Sequence, residues 1–457
     1  MKSLLLNSLR FIPTGLCLAV CLLANNAKAV NQYFDVNGTT AGYGIANGGS
    51  YSWDGANWAT ASGGGAATAN WVAGQFARFP GGVSGNSYTV TVNADESMAG
   101  LYNSVSGTTL TINGAGSGTL DVVSGYQGFL VTGNVIINAP ISGVGGVGPE
   151  QGGSLYLYGN NTYSGGTEFG FGGSPLTFIN NNNSFGSGPV TMSAAAGNYA
   201  AVLATAPVTL ANNFTTVTSG NGINFASSAS SPVISTGTWS LGANNILIRN
   251  NGNSTSPLTL SGQISGTASL NFSGANGGKI ILSGANTYSG STTVGITGDT
   301  AITLTLGAAN TIASSSSLIM AGGITDPNGQ VQTMRSTTLG LTANSTFDYT
   351  SGAAEMDFAN SSGVAWTSGM TLNLKSTGAS NWNLSGDALE IGIDATGLTA
   401  GQLGQIEFNG TDLGAAGINA QGYIYDTAQV VPEPSTALLG LLGGLGVMSN
   451  IRRRRTA

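Results

Sequence analysis

The chain has 457 residues with 73 glycines, no histidine and only 7% charged residues, and its formal net charge is −7. The missing histidine removes the commonest general base and metal ligand, and the acidic balance offers no basic face to nucleic acid or an anionic membrane. With 41% apolar residues and little charge, the composition is that of a folded chain rather than a disordered one.

The first element is a secretory signal, residues 1–29. Lys2 and Arg10 precede an apolar run from Phe11 to Ala24, and Ala27-Lys28-Ala29 forms a small-x-small cleavage site, with cleavage after Ala29. The apolar run is short for a membrane span. Both cysteines, Cys17 and Cys21, lie inside it. The exported chain therefore has no thiol, which excludes disulfides, thiolate catalysis and cysteine-ligated zinc. Residues 30–434 hold five basic residues, Arg78, Arg249, Lys279, Arg335 and Lys375, against all 19 acids, a net charge of −14.

Residues 30–87 read as an N-terminal β cap. Their stretch SWDGANWATASGGGAATANW supplies Trp53, Trp58 and Trp71. These rings are candidate glycan contacts, set against the commoner role of tryptophan in a β cap, core packing with its N–H satisfied.

Residues 88–345 are β by pattern. YTVTV (88–92), TLTI (109–112), SLYLY (154–158), NILI (245–248), KIIL (279–282) and AITLTL (301–306) are short β-branched and apolar runs bounded by Gly, Asn or Ser. The region also repeats. GNNTYSGGT (159–167) returns as GANTYSGST (284–292), identical at seven of nine places, each copy preceded by Ile-Ser-Gly and followed by a strand and an Asn-rich turn. Coils of roughly 20 residues cannot bury a core alone and must stack. The expectation is an all-β fold, a right-handed parallel β-helix or solenoid, with a dozen coils making a rod on the order of 60 Å at ~4.8 Å per strand. A string of β-sandwiches built from hairpins is the alternative.

Residues 346–429 hold nine acids and one lysine and read as a small, mostly-β C-terminal unit. Its pieces are a strand in NWNLSGDALEIGI, a short helix in LTAGQLGQIEF with Thr399 and Gln402 as a capping box, and a last strand at YIY (423–425). Close acids occur at Asp95-Glu96, Glu355-Asp357 and Asp387-Glu390-Asp394. Glycoside hydrolysis needs two carboxylates about 5–9.5 Å apart, and in a strand Glu355 and Asp357 share a face. A lyase also needs a basic residue beside its acids, and this region is almost without one. Acids at strand edges also serve solubility, so no catalytic residue and no cofactor is assigned. TDPNGQ (325–330) offers oxygen ligands but lacks the spacing and distal glutamate of a calcium loop. It reads as a plain turn, and no metal site is assigned.

Residues 430–457 close the chain. Pro432 and Pro434 hold Glu433 in an extended strip. Ser435–Ile451 just reaches the length of a transmembrane helix, and Arg452, Arg453, Arg454 and Arg455 anchor its far end in the cytoplasm. This order resembles the PEP-CTERM sorting signal. The GANTYSGST copies resemble the autotransporter-associated β-strand repeat, and LTAGQL is similar to a stretch common in PEP-CTERM proteins with such repeats. The resemblance implies export by the Sec machinery, transient inner-membrane anchoring, processing by a membrane exosortase, and a final place at the surface or outside a Gram-negative cell that makes exopolysaccharide. No ~10-residue alternating segments near the C-terminus suggest a translocating barrel. The expected function is a structural or adhesive surface or matrix protein. A carbohydrate-binding surface module and a β-helical polysaccharide-degrading enzyme are the alternatives.

Overall fold

A computed structural model describes residues 29–429, apart from 82–83, 171–174, 194–198, 218–221, 226–230, 243–244, 297–301, 378–387 and 412. The expected signal core and the whole C-terminal tail, with its transmembrane helix, lie outside the described residues. Among the described residues, no helix is long and apolar enough to cross a membrane.

The chain winds into a parallel β-solenoid of about 11 turns. One 13-stranded ladder runs from Ser50–Ser52 to Leu339–Ala343, and a second 13-stranded sheet begins at Asn31–Phe34 and ends at Ile264–Gly266. A nine-stranded ladder runs from Val208–Leu210 to Ile406–Phe408, and a three-stranded one joins Val331–Met334, Glu355–Phe358 and Ala388–Ile391. Successive strands within a ladder come from successive coils, so the pairing between coils is parallel throughout. The two antiparallel strand pairs among the described residues sit at the ends: Asn31–Phe34 with Trp58–Ala59, and Ala416–Ile418 with Ile424–Asp426.

Alternation within each strand builds the core. In Ser87–Val92, Tyr88, Val90 and Val92 point in while Thr89 and Thr91 point out. Register then stacks like on like. Val90, Ile112, Ile137, Leu157, Ile179 and Ala204 form one buried column up the axis. Each fully buried Val, Ile or Leu contributes roughly 1.5–3 kcal/mol, and a one-residue slip would turn a whole strand's set to solvent. Phe214 and Trp239, partners in adjacent coils, stack at 4.2 Å with a 6° interplanar angle.

The repeated nonapeptide is the bracket between coils, and its seven shared residues do the same work twice. Asn161 accepts from the Ile141 N–H in the coil before (2.8 Å) and donates to the Ser184 carbonyl in the coil after (2.8 Å). Asn286 does likewise between Ile264 and Thr311, at 2.7 Å each. Tyr163 and Tyr288 are fully buried, with their hydroxyls 2.6 Å from Thr167 and Thr292. The backbone N–H groups of Thr162 and Ser164 donate to Ile141 and Gly143, and those of Thr287 and Ser289 to Ile264 and Gly266. A Cβ at Gly290 would overlap the Ala268 carbonyl, and one at Gly165 would overlap the Gly145–Gly146 backbone. Glycine is required there by close approach.

The ladders do not break where the acids begin. Ser345–Asp348 pairs with Leu372–Lys375, which pairs with Ile406–Phe408. The helix expected in LTAGQL is a single turn, Ala400–Leu403, and Thr399 and Gln402 form the reciprocal capping box.

Candidate functional site

The last coils bring together acids that lie far apart in the sequence. Glu355 and Asp357 share the outward side of their strand because Met356 and Phe358 take the core side. Parallel register sets Glu390 directly beside Asp357. Arg335 follows the adjoining strand. Its Nε donates to Asp357 Oδ2 (3.2 Å) and its Nη2 to Glu390 Oε2 (2.6 Å). The two acid side chains are 4% exposed, the arginine 49%.

The C-terminal hairpin covers this group. Glu390 and Tyr423 form an antiparallel bridge, and Ile391 N–H donates to Gly422 O. The Tyr423 hydroxyl donates to Glu355 Oε1 at 3.1 Å. One carboxylate oxygen from each of Glu355, Asp357 and Glu390 lies within 4.8 Å of the others. Asp357 Oδ1 is buried and has no hydrogen-bond partner. Burial, and then the Glu355 charge, hold the Asp357 carboxyl well above the usual carboxylate range, with Arg335 pulling the other way. Burial and the same glutamate push the Tyr423 hydroxyl up to about 12.

This geometry constrains the chemistry. Two of the three acids are pinned by one guanidinium and closed to solvent, so neither is placed to protonate or attack a glycosidic bond. A cleft of about 260 Å³ opens beside Arg335, lined by Phe358, Asn360, Gly392, Ile393 and Asp394. It meets the arginine, not the carboxylates it pins. What the group offers is an array of oxygens able to hold a hard cation.

Sequence reasoning treated Glu355-Asp357 and Asp387-Glu390-Asp394 as separate runs and Arg335 as a scattered cation. Coil spacing carried the missing signal: Arg335 and Asp357 are 22 residues apart, within the 20–27 residue steps that link neighbouring coils elsewhere. Asp387 lies outside the described residues. Asp394 accepts from the Thr396 N–H and hydroxyl and lines the cleft beside Arg335 rather than joining the three acids. Asp95 accepts from Thr119 (2.9 Å). Glu96 sits beside the Asp54 carboxylate, and burial with that neighbour raises its pKa to about 7.

The three cap tryptophans are packed rather than displayed. Trp53 and Trp58 are 4.9 Å apart between ring centroids, Trp58 and Trp71 4.6 Å, and all three are buried. Trp58 Nε1 donates to Trp53 O and Trp71 Nε1 to Ser97 O. Rings so enclosed leave no open face for a sugar. TDPNGQ is a turn: Asp326 Oδ1 accepts from the Asn328 N–H, Oδ2 accepts from Thr305 and Ser351, and Asn328 and Gly329 take positive φ. Ala29 opens the described part of the chain. Ala27, Pro432, Glu433, Pro434 and Arg452–Arg455 lie outside it.

Compared with known proteins, the chain matches no family model, no curated protein and no solved structure.

Proposed function

We propose that the chain is an exported structural or adhesive protein of a bacterial surface or extracellular matrix. In this reading the Sec machinery delivers it and the signal is cut after Ala29. A PEP-CTERM-like tail of Pro432-Glu433-Pro434, a transmembrane helix over Ser435–Ile451 and Arg452–Arg455 then holds it at the inner membrane for an exosortase. The mature rod works among exopolysaccharide.

The observation that carries the reading is uninterrupted coil stacking. Thirteen strands in one ladder at ~4.8 Å make a rod on the order of 60 Å, built without a cysteine outside the signal. Such a shape suits a spacer or scaffold. Enclosed tryptophans weigh against a carbohydrate-binding module resting on those rings, and pinned carboxylates weigh against a polysaccharide-degrading enzyme resting on that cluster.

The test is fractionation of a host that carries an exosortase, expressing wild type and the variant with Pro432, Glu433 and Pro434 all changed to alanine. The wild type is expected shortened and outside the inner membrane, the variant full-length and retained. Identical processing and location of the two would overturn the sorting reading.

A further inference from the structure

The acidic group at the end of the solenoid is short of positive charge. Three carboxylates lie together and one guanidinium pairs with two of them, so the acids outnumber the positive charge in a largely buried place. The neighbouring donors are already engaged: Arg335 on Asp357 Oδ2 and Glu390 Oε2, and the Tyr423 hydroxyl on Glu355 Oε1. Asp357 Oδ1 is shut away from water and has no hydrogen-bond partner. A buried, unpaired carboxylate oxygen is strongly unfavourable unless something positive meets it.

We propose that Glu355, Asp357 and Glu390 bind one divalent cation of the calcium class, with Asp357 Oδ1 as its most buried ligand. The excess of acid is then offset, and the orphan oxygen gains its partner. Calcium is favoured over magnesium because it tolerates an irregular carboxylate shell completed by water, whereas magnesium demands near-octahedral geometry and gives up its waters reluctantly. The three acids converge, with one oxygen from each within 4.8 Å of the others. Glu355 and Asp357 come from one coil, Glu390 from the next, and Tyr423 ties the hairpin to Glu355. A bound ion therefore clamps the closing hairpin onto the last coils. This inference is independent of the sorting reading.

The experiment uses the full chain, stripped with a chelator and titrated calorimetrically with calcium chloride alone, then with magnesium chloride. The remote strand acid Asp121, as Asp121→Asn, is the control. One equivalent of calcium is expected, with a rise in Tm, and magnesium binding at least about tenfold weaker. Glu355→Gln, at a half-buried position bonded to Tyr423, tests the ligand set without emptying the buried pair. It should weaken calcium about tenfold or more and remove the Tm rise, as should Asp357→Asn, while Asp121→Asn changes neither. Absence of saturable binding up to about 10 mM calcium overturns the proposal. So does saturable binding that Glu355→Gln leaves unchanged, because the ion would then sit elsewhere.

Discussion

Replacing Asn286 by alanine should open the solenoid at one defined seam. The side chain satisfies two groups in two different coils, the Ile264 N–H and the Thr311 carbonyl, through buried bonds of 2.7 Å each. Alanine reaches neither. Each orphaned buried group costs about 1–3 kcal/mol, so the seam should weaken by about 2–6 kcal/mol. Because coils interact with their neighbours only, the loss should stay local, and a global midpoint would dilute it. Hydrogen exchange read by peptide mass resolves it. Amides in the coils carrying Ile264, Asn286 and Thr311 should exchange about thirtyfold faster or more, while those around Val90 and Ile112 keep their protection. Asn161→Ala should reproduce the effect between Ile141 and Ser184, where the same bonds measure 2.8 Å. A change under about tenfold at the seam, or acceleration spread evenly along the rod, would refute the reading of this asparagine as an inter-coil bracket.

The paired tyrosines should differ in cost. Tyr163→Phe strands the buried Thr167 hydroxyl, whereas after Tyr288→Phe the Thr292 hydroxyl still has Ser316 at 2.8 Å. Denaturant unfolding should show the first to be worse, by about 1 kcal/mol. Glu96 predicts a pH dependence. Its pKa is raised from 4.5 to about 7, by burial first and Asp54 second, so the folded chain holds the proton more tightly than the unfolded one. That stabilisation is full below pH 4.5 and is lost as pH rises through about 7. Glu96→Gln should flatten the Tm-versus-pH curve over this window, and an unchanged slope would contradict the assignment. Trp58→Phe should lower stability by about 1–3 kcal/mol through lost packing without changing retention on polysaccharide columns. Lost retention at unchanged stability would restore a sugar-binding role.

Most of the architecture is legible because it follows local rules repeated many times. YTVTV announces its two faces through alternation, and the nonapeptide copies mark equivalent corners. What the sequence conceals is set by register. Arg335, Asp357 and Glu390 meet because their strands lie side by side, an adjacency that depends on the lengths of the intervening loops. Local pattern says nothing about those lengths. The tryptophans follow the commoner of their two readings, packing in the core against one another and against Phe34 and Phe79. The composition break at residue 346 leaves the ladder unbroken because inward positions there, such as Leu372 and Leu374, remain apolar. Added charge falls on outward places, as with Asp348 opposite Lys375 at 2.9 Å.

A parallel solenoid poses a problem its own coils cannot solve. Every interior strand has a neighbour above and below, but the first and last expose a full row of unpaired backbone groups, and so few charges offer little to repel another edge. This chain uses a different device at each end. At the start, Trp58–Ala59 turns antiparallel against Asn31–Phe34, and Trp53, Trp58, Trp71, Phe34 and Phe79 fill the end of the core. At the finish, the antiparallel hairpin Ala416–Ile418 and Ile424–Asp426 closes over the final coils, where the acids concentrate. The two closures differ in kind. The start is closed mainly by packed aromatic rings, with the Asp35 carboxyl buried beside Phe34. An acidic closure with an orphan oxygen at Asp357 depends on what the surroundings supply. If the chain is exported as proposed and binds calcium there, its second end is completed only where calcium is supplied.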